Sequence, residues 1–567
     1  MQFDRRRTLL AVCTATSLYR IFWAFAIVTL FVPDEYYQTV EPSKKIFDGT
    51  FESGVSSTWE WRDEYRIRSF VPLLPYLLLH QFKYTWRTFY TSYPTEILVL
   101  KGPRLMNSLM SSCSDLAFFL ILEKFTKSTT IALFILCVHV FSWSASYCLS
   151  RTLANSSETA LIIIGLFFWL SEHHSGFGLL ESLRVTKDSA PEIPPVSSES
   201  NRLKTAASGA GISQSAQGLR SRNPVTLTSK ETYSIASEEL SQPVKHPLSL
   251  AVALITITVH CRPTAVLFWA PLIVLRIAQS KSPLQCIVFH CIPTGLIALF
   301  TCIAIDSFFY KSLTITPLNF FYINVSRNYA ELFYGAKPWH WNFSNGFPVM
   351  LGLYTPILVY SCFYTTQPDD AIVLEITSIS YLVLLRCVTA HQEFRFLLPC
   401  VAFLHIAVGF TLWNAAVWCL PSLGEPYKGR HSFFSFCLSL LLPHVSKDLS
   451  PLHSSANTRA EQVGMNNRQS RNNDTESSST KNGITCTRES AAKGRVRDAG
   501  SKVHEGLRAI GMLALCALVI AHIGTAYYLS TRHQVCAELI SLLDCYFVLI
   551  RKSSQEYTRC FSQVIIL

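Results

Sequence analysis

The sequence predicts an all-α polytopic membrane protein, and three observations carry that prediction. Of the 567 residues, 49% are hydrophobic and only 15% are charged, where a soluble chain of this size carries nearer about 25% charged residues. The mean hydropathy is +0.26. Apolar runs of about 17–25 residues, the length that crosses a bilayer as helix, recur along the chain.

The first run, 8–32, follows Arg5, Arg6 and Arg7. It is long and ends in "VPDEYY" rather than at a small-residue cleavage site, which favours a retained span over a signal peptide. The positive-inside tendency puts the three arginines in the cytoplasm and the next loop on the luminal or exterior side. Further candidate spans are 105–122, 129–149, 157–173, 247–259, 264–279, 285–306, 346–364, 371–388, 394–419, 432–444, 507–529 and 535–550. Several are short enough to be half-helices or interfacial segments, so about 10–12 crossings are expected.

Two polar stretches interrupt this pattern. Residues 182–245 and 446–504 are rich in Ser, Asn, Gly and charge, with little to bury, so disorder is the physical expectation. They divide the chain into an amino-terminal block (1–181), a central block (246–445) and a carboxy-terminal segment (505–567). The loops 33–100 and 310–345 are too polar for spans and too aromatic for linkers. Phe70, Leu73, Leu74, Leu77 and Leu78 have helical spacing, as in an amphipathic helix lying on the membrane surface.

Ionisable residues gather at the span boundaries. In "PDEYYQTVEP", a helix starting at Asp34 would align Asp34, Gln38 and Glu41 on one face. The Asp34–Glu35 pair can cap that helix, or it can take a proton from an attacking hydroxyl as a general base. "STWEWRDEYRIRS" carries Glu60, Arg62, Arg66 and Arg68; arginines there can snorkel along aromatics or grip a phosphate with paired donors. "TAHQEFRFLLP" sets His391, Glu393 and Arg395 between two apolar segments, a costly arrangement unless they are paired or face a cavity. Arg262 in "HCRPTA" reads first as a helix anchor. Arg151, Asn155 and Glu158 open another span in "RTLANSSET". Trp339, His340 and Trp341 suit the headgroup region.

Other functions find no support. The formal charge of +11 is dispersed, without the basic helix or aromatic interleaving of a nucleic-acid binder. The 18 cysteines show no metal-ligand spacing, and Cys113, Cys137, Cys387 and Cys400, inside apolar runs, are expected as small buried hydrophobes. Asn155, Asn324, Asn342 and Asn473 stand in glycosylation sequons, a pattern common by chance. No nucleotide-binding or hydrolase motif occurs. A transporter or lipid flippase would hold its charges near the midplane, whereas these cluster at span ends beside long loops.

Taken in order, these motifs resemble the dolichyl-phosphate-mannose-dependent mannosyltransferases of the GT-C superfamily. "PDEYYQTVEP" resembles the family's "HPDE" signature, with Val32 in place of the usual histidine. "TWEWRDEYRIRS", "RTLANSSET", "HCRPTA" and "HQEFRFLLP" also look like family motifs, the last with Gln392 where lysine is usual. "FYGAKPWHWNFSNGFPVMLG" and "TWEW" are similar to the branch that adds the third mannose of the glycosylphosphatidylinositol (GPI) anchor, with Lys337 and Asn342 as departures. Other branches add the fourth GPI mannose or build the lipid-linked oligosaccharide of N-glycosylation.

The resemblance implies a GT-C fold in the endoplasmic reticulum membrane with a luminal active site. It implies inverting α1,2-transfer of mannose from dolichyl-phosphate mannose to the second mannose of a GPI precursor, without metal or other cofactor. It further implies Asp34 as the base, and Glu35 as orienting the acceptor or sharing the proton. Arg395 and His391, then Arg66 and Arg68, are the candidates for the departing phosphate. Gln38, Glu60, Trp339, His340 and Trp341 are the candidates for contact with sugar.

Overall fold

The computed structural model describes residues 5–51, 58–89, 95–171, 247–279, 283–441 and 486–531. Among these residues the chain is helical, and one isolated backbone bridge, Gln367 to His431, is its extended pairing. Seven helices are long and apolar enough to cross a membrane: Arg5–Ala26, Lys101–Thr126, Ala154–Ser171, Pro283–Tyr310, Asp369–Val388, Phe394–Cys419 and Gly506–Thr531. Asn342–Leu351 and Tyr354–Tyr364, meeting at 112°, make up to one more. Val71–Phe82, Thr129–Val140, Pro247–Cys261 and Pro263–Ala278 are shorter apolar helices of 10–17 residues, so the described residues hold seven or eight full-length candidates against the roughly 10–12 crossings expected. The 112° break falls at Gly352, whose φ is +57°. A β-carbon there would stand 3.3 Å from the Trp143 indole nitrogen, so the turn needs glycine on both counts.

The span Phe394–Cys419 is the axis of the bundle, with 94% of its most apolar window buried. It is apolar all round, from Leu398 and Phe403 to Phe410 and Trp413, the pattern of a helix enclosed on every side. Thr129–Val140, Asp369–Val388, Tyr354–Tyr364 and Cys486–Thr531 pack around it. Pro283–Tyr310 and Gly506–Thr531 are only 6% and 11% buried, so most of their apolar surface faces the hydrocarbon.

A charged residue inside a span has to be paired. Arg20 of the first helix meets Asp115 of the next span with two hydrogen bonds, from Nε to Oδ2 at 2.8 Å and from Nη2 to Oδ1 at 2.9 Å. Its third nitrogen donates to the Ala145 carbonyl at 2.6 Å. Neither charged side chain is exposed.

Outside the main core, Trp61, Phe70, Leu73, Tyr76 and Tyr310 form a second, smaller apolar cluster. It folds the "TWEWRDEYRIRS" loop onto the end of the Ile292–Tyr310 helix. Asp306 fastens this junction, accepting from Ser69 Oγ at 2.9 Å, the Phe70 amide at 2.8 Å and Thr316 Oγ1 at 2.7 Å. The expected surface helix begins later than its apolar spacing indicates. Val71–Leu73 is a 3-10 turn and Leu74–Phe89 the helix, because the prolines at 72 and 75 are tolerated only in the opening turn. Phe70 and Leu73 are buried ahead of it, while Leu78 is exposed.

Two sequence expectations change. Of the four cysteines read as buried, only Cys400 is; Cys113, Cys137 and Cys387 lie on outward faces of their spans, where lipid replaces protein as the apolar surrounding. Asn155, Asn324 and Asn342 are all buried, so their sequons are closed to modification in the folded chain. The first polar stretch, 182–245, and residues 446–485 of the second lie outside the described residues. The last part of the second, from Cys486, begins the helix Cys486–Thr531; "RESAAKGRVRDAG" is dense in good helix formers. The candidate span 535–550 is also outside the described residues.

Replacing Asp115 by Ala strands a buried guanidinium, a change that costs about 3–5 kcal/mol in buried pairs. Asp115→Ala is therefore expected to lower the melting temperature of the detergent-solubilised protein, and the Arg20→Leu/Asp115→Leu double variant to recover most of the loss. An unchanged melting temperature in the single variant would remove the pair from the determinants of the bundle.

Candidate active site

The chain leaves the first helix and turns back at Val32 and Pro33 into the helical segment 36–47. Tyr36–Val40 is a π-helical turn, a local widening often found at functional sites. The expected alignment of Asp34 with Gln38 is present, since the Gln38 amide donates to Asp34 Oδ2. Glu41 departs from that face and pairs with Lys45 at 2.6 Å.

Adjacent residues on a helix diverge by about 100°, and Asp34 and Glu35 do diverge. Glu35 is 1% exposed. Its Oε1 accepts from Arg151 Nη1 at 2.8 Å and from the Phe31 amide at 2.6 Å. Arg151 also donates to the Thr29 carbonyl at 2.8 Å and lies over the Tyr147 ring, 4.0 Å from its centre. Arg104 donates to the Ile27 and Thr29 carbonyls at 2.5 and 3.0 Å, and Lys101 to Ile27 at 2.7 Å. Three cations thus collect the open carbonyls after the first helix, which have no partner in the helix itself. Glu35 is the anion that balances them. This geometry removes Glu35 from the surface on which Asp34 opens and makes it an anchor of the turn.

Asp34 stays partly open, with 27% of its side chain exposed. Its Oδ2 accepts from Arg395 Nη1 as well as from Gln38. The same guanidinium reaches Glu393, with Nη2 2.9 Å from Oε1 and Nε 2.7 Å from Oε2. His391 stands between Glu393 Oε1, 2.9 Å from its Nε2, and the Gly335 carbonyl, 3.1 Å from its Nδ1. Burial alone would raise the Glu393 carboxyl, but the His391 hydrogen bond and the Arg395 charge outweigh it and hold its pKa down to about 2.

The third arm comes from "TWEWRDEYRIRS". Gln38 donates to Glu60 Oε2 at 3.2 Å, and Arg68 Nη2 to Glu60 Oε1 at 2.6 Å. Arg68 is held by its backbone, whose carbonyl accepts from Tyr310 Oη at 2.7 Å. Burial disfavours its charge, yet Glu60, then Asp34, keep its pKa above the ordinary arginine value. Its buried Nε has no hydrogen-bond partner among the described residues, so this guanidinium retains a donor for an anion.

Arg262, read from sequence as a helix anchor, belongs to the same assembly. It is buried, 3.3 Å from Glu158 Oε2 through Nε, and donates to Asn155 Oδ1 at 3.2 Å. The Phe396 ring lies between two guanidiniums, 5.1 Å from Arg262 and 5.6 Å from Arg395, within cation–π range. "RTLANSSET", "HCRPTA" and "HQEFRF" therefore meet in three dimensions.

Other expected members lie elsewhere. Arg66 is turned away: it adopts φ 46°, donates to Asp63 at 3.1 Å and to Ser312, and lies over Tyr310. Trp341 is buried and packs on Phe394 at 5.0 Å. Trp339 is 74% exposed, and His340 is exposed with Ser344 2.9 Å from its Nδ1. Among the described residues, none of the three hydrogen-bonds to Asp34, Gln38 or Glu60. Gln38 and Glu60 are themselves buried links between Asp34 and Arg68. A neighbour not foreseen is Tyr334, whose ring centre is 5.3 Å from that of His391. The signal was its place in "FYGAKPWHW", a few residues before the tryptophans that drew attention.

The profile of the Alg9-like mannosyltransferase family matches residues 11–482 of this chain. Among curated proteins, the chain is similar to GPI alpha-1,2-mannosyltransferase 3 of Homo sapiens, 28% identical over 408 residues, 71% of this chain and 58% of that protein. The Danio rerio protein of the same name is 27% identical over 444 residues, 77% of this chain and 65% of that protein. Mannosyltransferase APTG1 of Arabidopsis thaliana is 26% identical over 394 residues, 69% and 56% of the two chains. The chain thus spans about three-fifths of the length of these relatives. Among solved structures, ArnT from Cupriavidus metallidurans bound to undecaprenyl phosphate aligns at a TM-score of 0.44 and 10% identity, over 71% of this chain and 60% of that one. With a single profile running through its helical bundle and its polar cluster, this chain belongs to the Alg9-like mannosyltransferase family.

Proposed function

We propose that this chain transfers mannose from dolichyl-phosphate mannose to the second mannose of a GPI precursor, forming an α1,2 bond on the luminal side of the endoplasmic reticulum membrane. The observation that carries this reading is the open carboxylate of Asp34 beside the cations Arg395 and Arg68, at the end of a membrane-spanning bundle. The names of the similar curated proteins support the acceptor and linkage.

The chemistry follows from the charges. The acceptor hydroxyl attacks the anomeric carbon from the face opposite the phosphate, and its proton passes to Asp34. Asp34 Oδ2 is occupied by Arg395 and Gln38, which leaves Oδ1 to receive that proton. The anomeric carbon–oxygen bond breaks, and dolichyl phosphate leaves with both electrons. The departing negative charge needs fixed cations more than it needs an acid. Arg68, with its spare Nε, and Arg395 supply them; the donor phosphate then competes with Asp34 for Arg395. As that ion pair loosens, the carboxylate becomes a stronger base when donor is present. His391 and Glu393 hold the Arg395 guanidinium in plane, and Glu35 holds the turn that presents Asp34.

Expression in cells that lack the third GPI mannosyltransferase is expected to restore surface GPI-anchored protein and the three-mannose glycolipid. Failure despite normal accumulation would remove the proposed acceptor. Asp34→Asn should reduce transfer by about 10²–10⁴-fold, the usual contribution of a general base. Glu35→Gln should lower melting temperature and activity together. Full activity in Asp34→Asn would eliminate it as the base.

Acid stability gives a second check. The Glu393 pKa in the folded state, about 2, is below its ordinary 4.5. Its contribution is therefore complete above about pH 5 and is lost as pH falls towards 2. The melting temperature of the solubilised protein should fall through this window, and Glu393→Gln should make that fall shallower. Parallel curves for the two proteins would contradict the assignment.

A further inference from the structure

Five aromatic residues from two loops distant in sequence meet beside the polar cluster, and neither apolar core of the protein includes them. Trp59 and Tyr65 come from "TWEWRDEYRIRS"; Tyr329, Phe333 and Tyr334 come from the short helix Tyr329–Tyr334. Trp59 stands perpendicular to Tyr65 at 5.3 Å and lies 6.0 Å from Phe333. Tyr329 stacks on Phe333 at 5.5 Å with 18° between the planes, and Tyr65 meets Tyr329 edge-on at 5.9 Å. The Trp59 indole N–H donates to Tyr334 Oη at 3.1 Å. Phe333 and Tyr334 nevertheless remain 44% and 55% exposed.

The helix carrying three of these rings is tied to the active-site loop. Glu331 Oε1 accepts from the Ala390 amide at 2.5 Å, and the Lys337 amide donates to the Ala390 carbonyl at 2.9 Å. Through Tyr334 on His391, and His391 on Glu393, the aromatic group shares a wall with the cluster that holds Asp34. Tyr334 also lies close enough to Glu60 and Asp34 for their charges to oppose its ionisation, although burial is the larger cause.

We propose that these rings form a stacking platform for the acceptor glycan, seating the mannose residues of the glycolipid so that one hydroxyl reaches Asp34. This deepens the functional reading above and rests on it for the identity of the acceptor. A pyranose has one face of C–H groups, which packs on an aromatic face, while its rim of hydroxyls needs polar partners. The platform provides both, with rings from Trp59 and Phe333 and a polar edge from the Tyr334 hydroxyl, which accepts from Trp59 and keeps its own proton to donate. Aromatics that anchor a protein in the interface direct their polar tips at headgroups. Here the two tips bond to each other across two loops, which sets the rings relative to the catalytic carboxylate instead. Contact with acceptor sugar thereby passes from Trp339, His340 and Trp341 to residues that adjoin the cluster.

The test uses the full chain in detergent, with dolichyl-phosphate mannose and whichever mannose-bearing glycolipid the unmodified protein elongates. The two-mannose GPI precursor is tried first. Trp59→Leu and Tyr334→Leu should each raise the acceptor KM about three- to tenfold, as expected for loss of one aromatic contact, and leave the donor KM within about twofold. Trp59→Phe, which keeps a ring but loses the bond to Tyr334, should raise the acceptor KM less than Trp59→Leu does. Phe333→Ser, at an exposed position outside both cores, should raise the acceptor KM in the same way and serves if a leucine variant fails to accumulate. An unchanged acceptor KM, an equal rise in donor KM, or a fall in kcat alone, as a bilayer anchor would give, would overturn the platform. Failure of the unmodified protein to elongate the GPI precursor, with elongation of another mannosylated lipid, would overturn the acceptor assignment and leave the platform to be judged on that lipid.

Discussion

A carboxylate at the edge of a hydrocarbon layer is tolerated only when something neutralises it, and Arg395 does this for Asp34 from 361 residues away in the chain. The contact joins the turn after the first helix to the start of the axial helix of the bundle. Arg395 in turn is balanced by Glu393, Glu393 by His391, and His391 by the loop that ends at Gly335. Removing Arg395 would strip Asp34 and Glu393 of the cation they share and loosen the loops around them. Stability and the proposed chemistry are therefore demands on the same atoms.

Asp34 and Glu35 divide the work that the acidic pair suggests when read as a unit. Glu35 faces inward to Arg151, Arg104 and the carbonyls behind the first helix. Asp34 faces outward to Arg395, Gln38 and solvent. An inward acid held by Arg151 and the Phe31 amide gives the turn a fixed position, and the outward acid is then presented on a rigid support, the condition for a precise site. The Asp306 junction does the same for Arg68, by fastening Ser69 and Phe70 to the end of a span.

The spans were legible because an apolar window long enough to cross a bilayer is seldom anything but a membrane helix. Asp34 and Gln38 could be placed together because four residues make about one helical turn. The inward turn of Glu35 was also available, since adjacent helical residues point about 100° apart. Arg262 was harder. A lone arginine before a proline reads as an anchor, and its pairing with Glu158 links positions whose proximity no local pattern encodes. Trp339 and Trp341 look equivalent in "WHW", yet one is exposed and the other buried, because the turn they occupy has no regular period from which to read a face. The platform of Trp59 and Tyr334 spans 275 residues and exists only in the folded chain.

The central claim is that Asp34 and Arg395 act as one unit in mannose transfer. A double-mutant cycle on the transfer rate, with Asp34→Asn, Arg395→Gln and the two combined, tests it most directly, because groups that act together are strongly non-additive. The account predicts that the double variant is about as slow as the slower single variant. Losses that multiply would mean that the two residues act independently, and would contradict it.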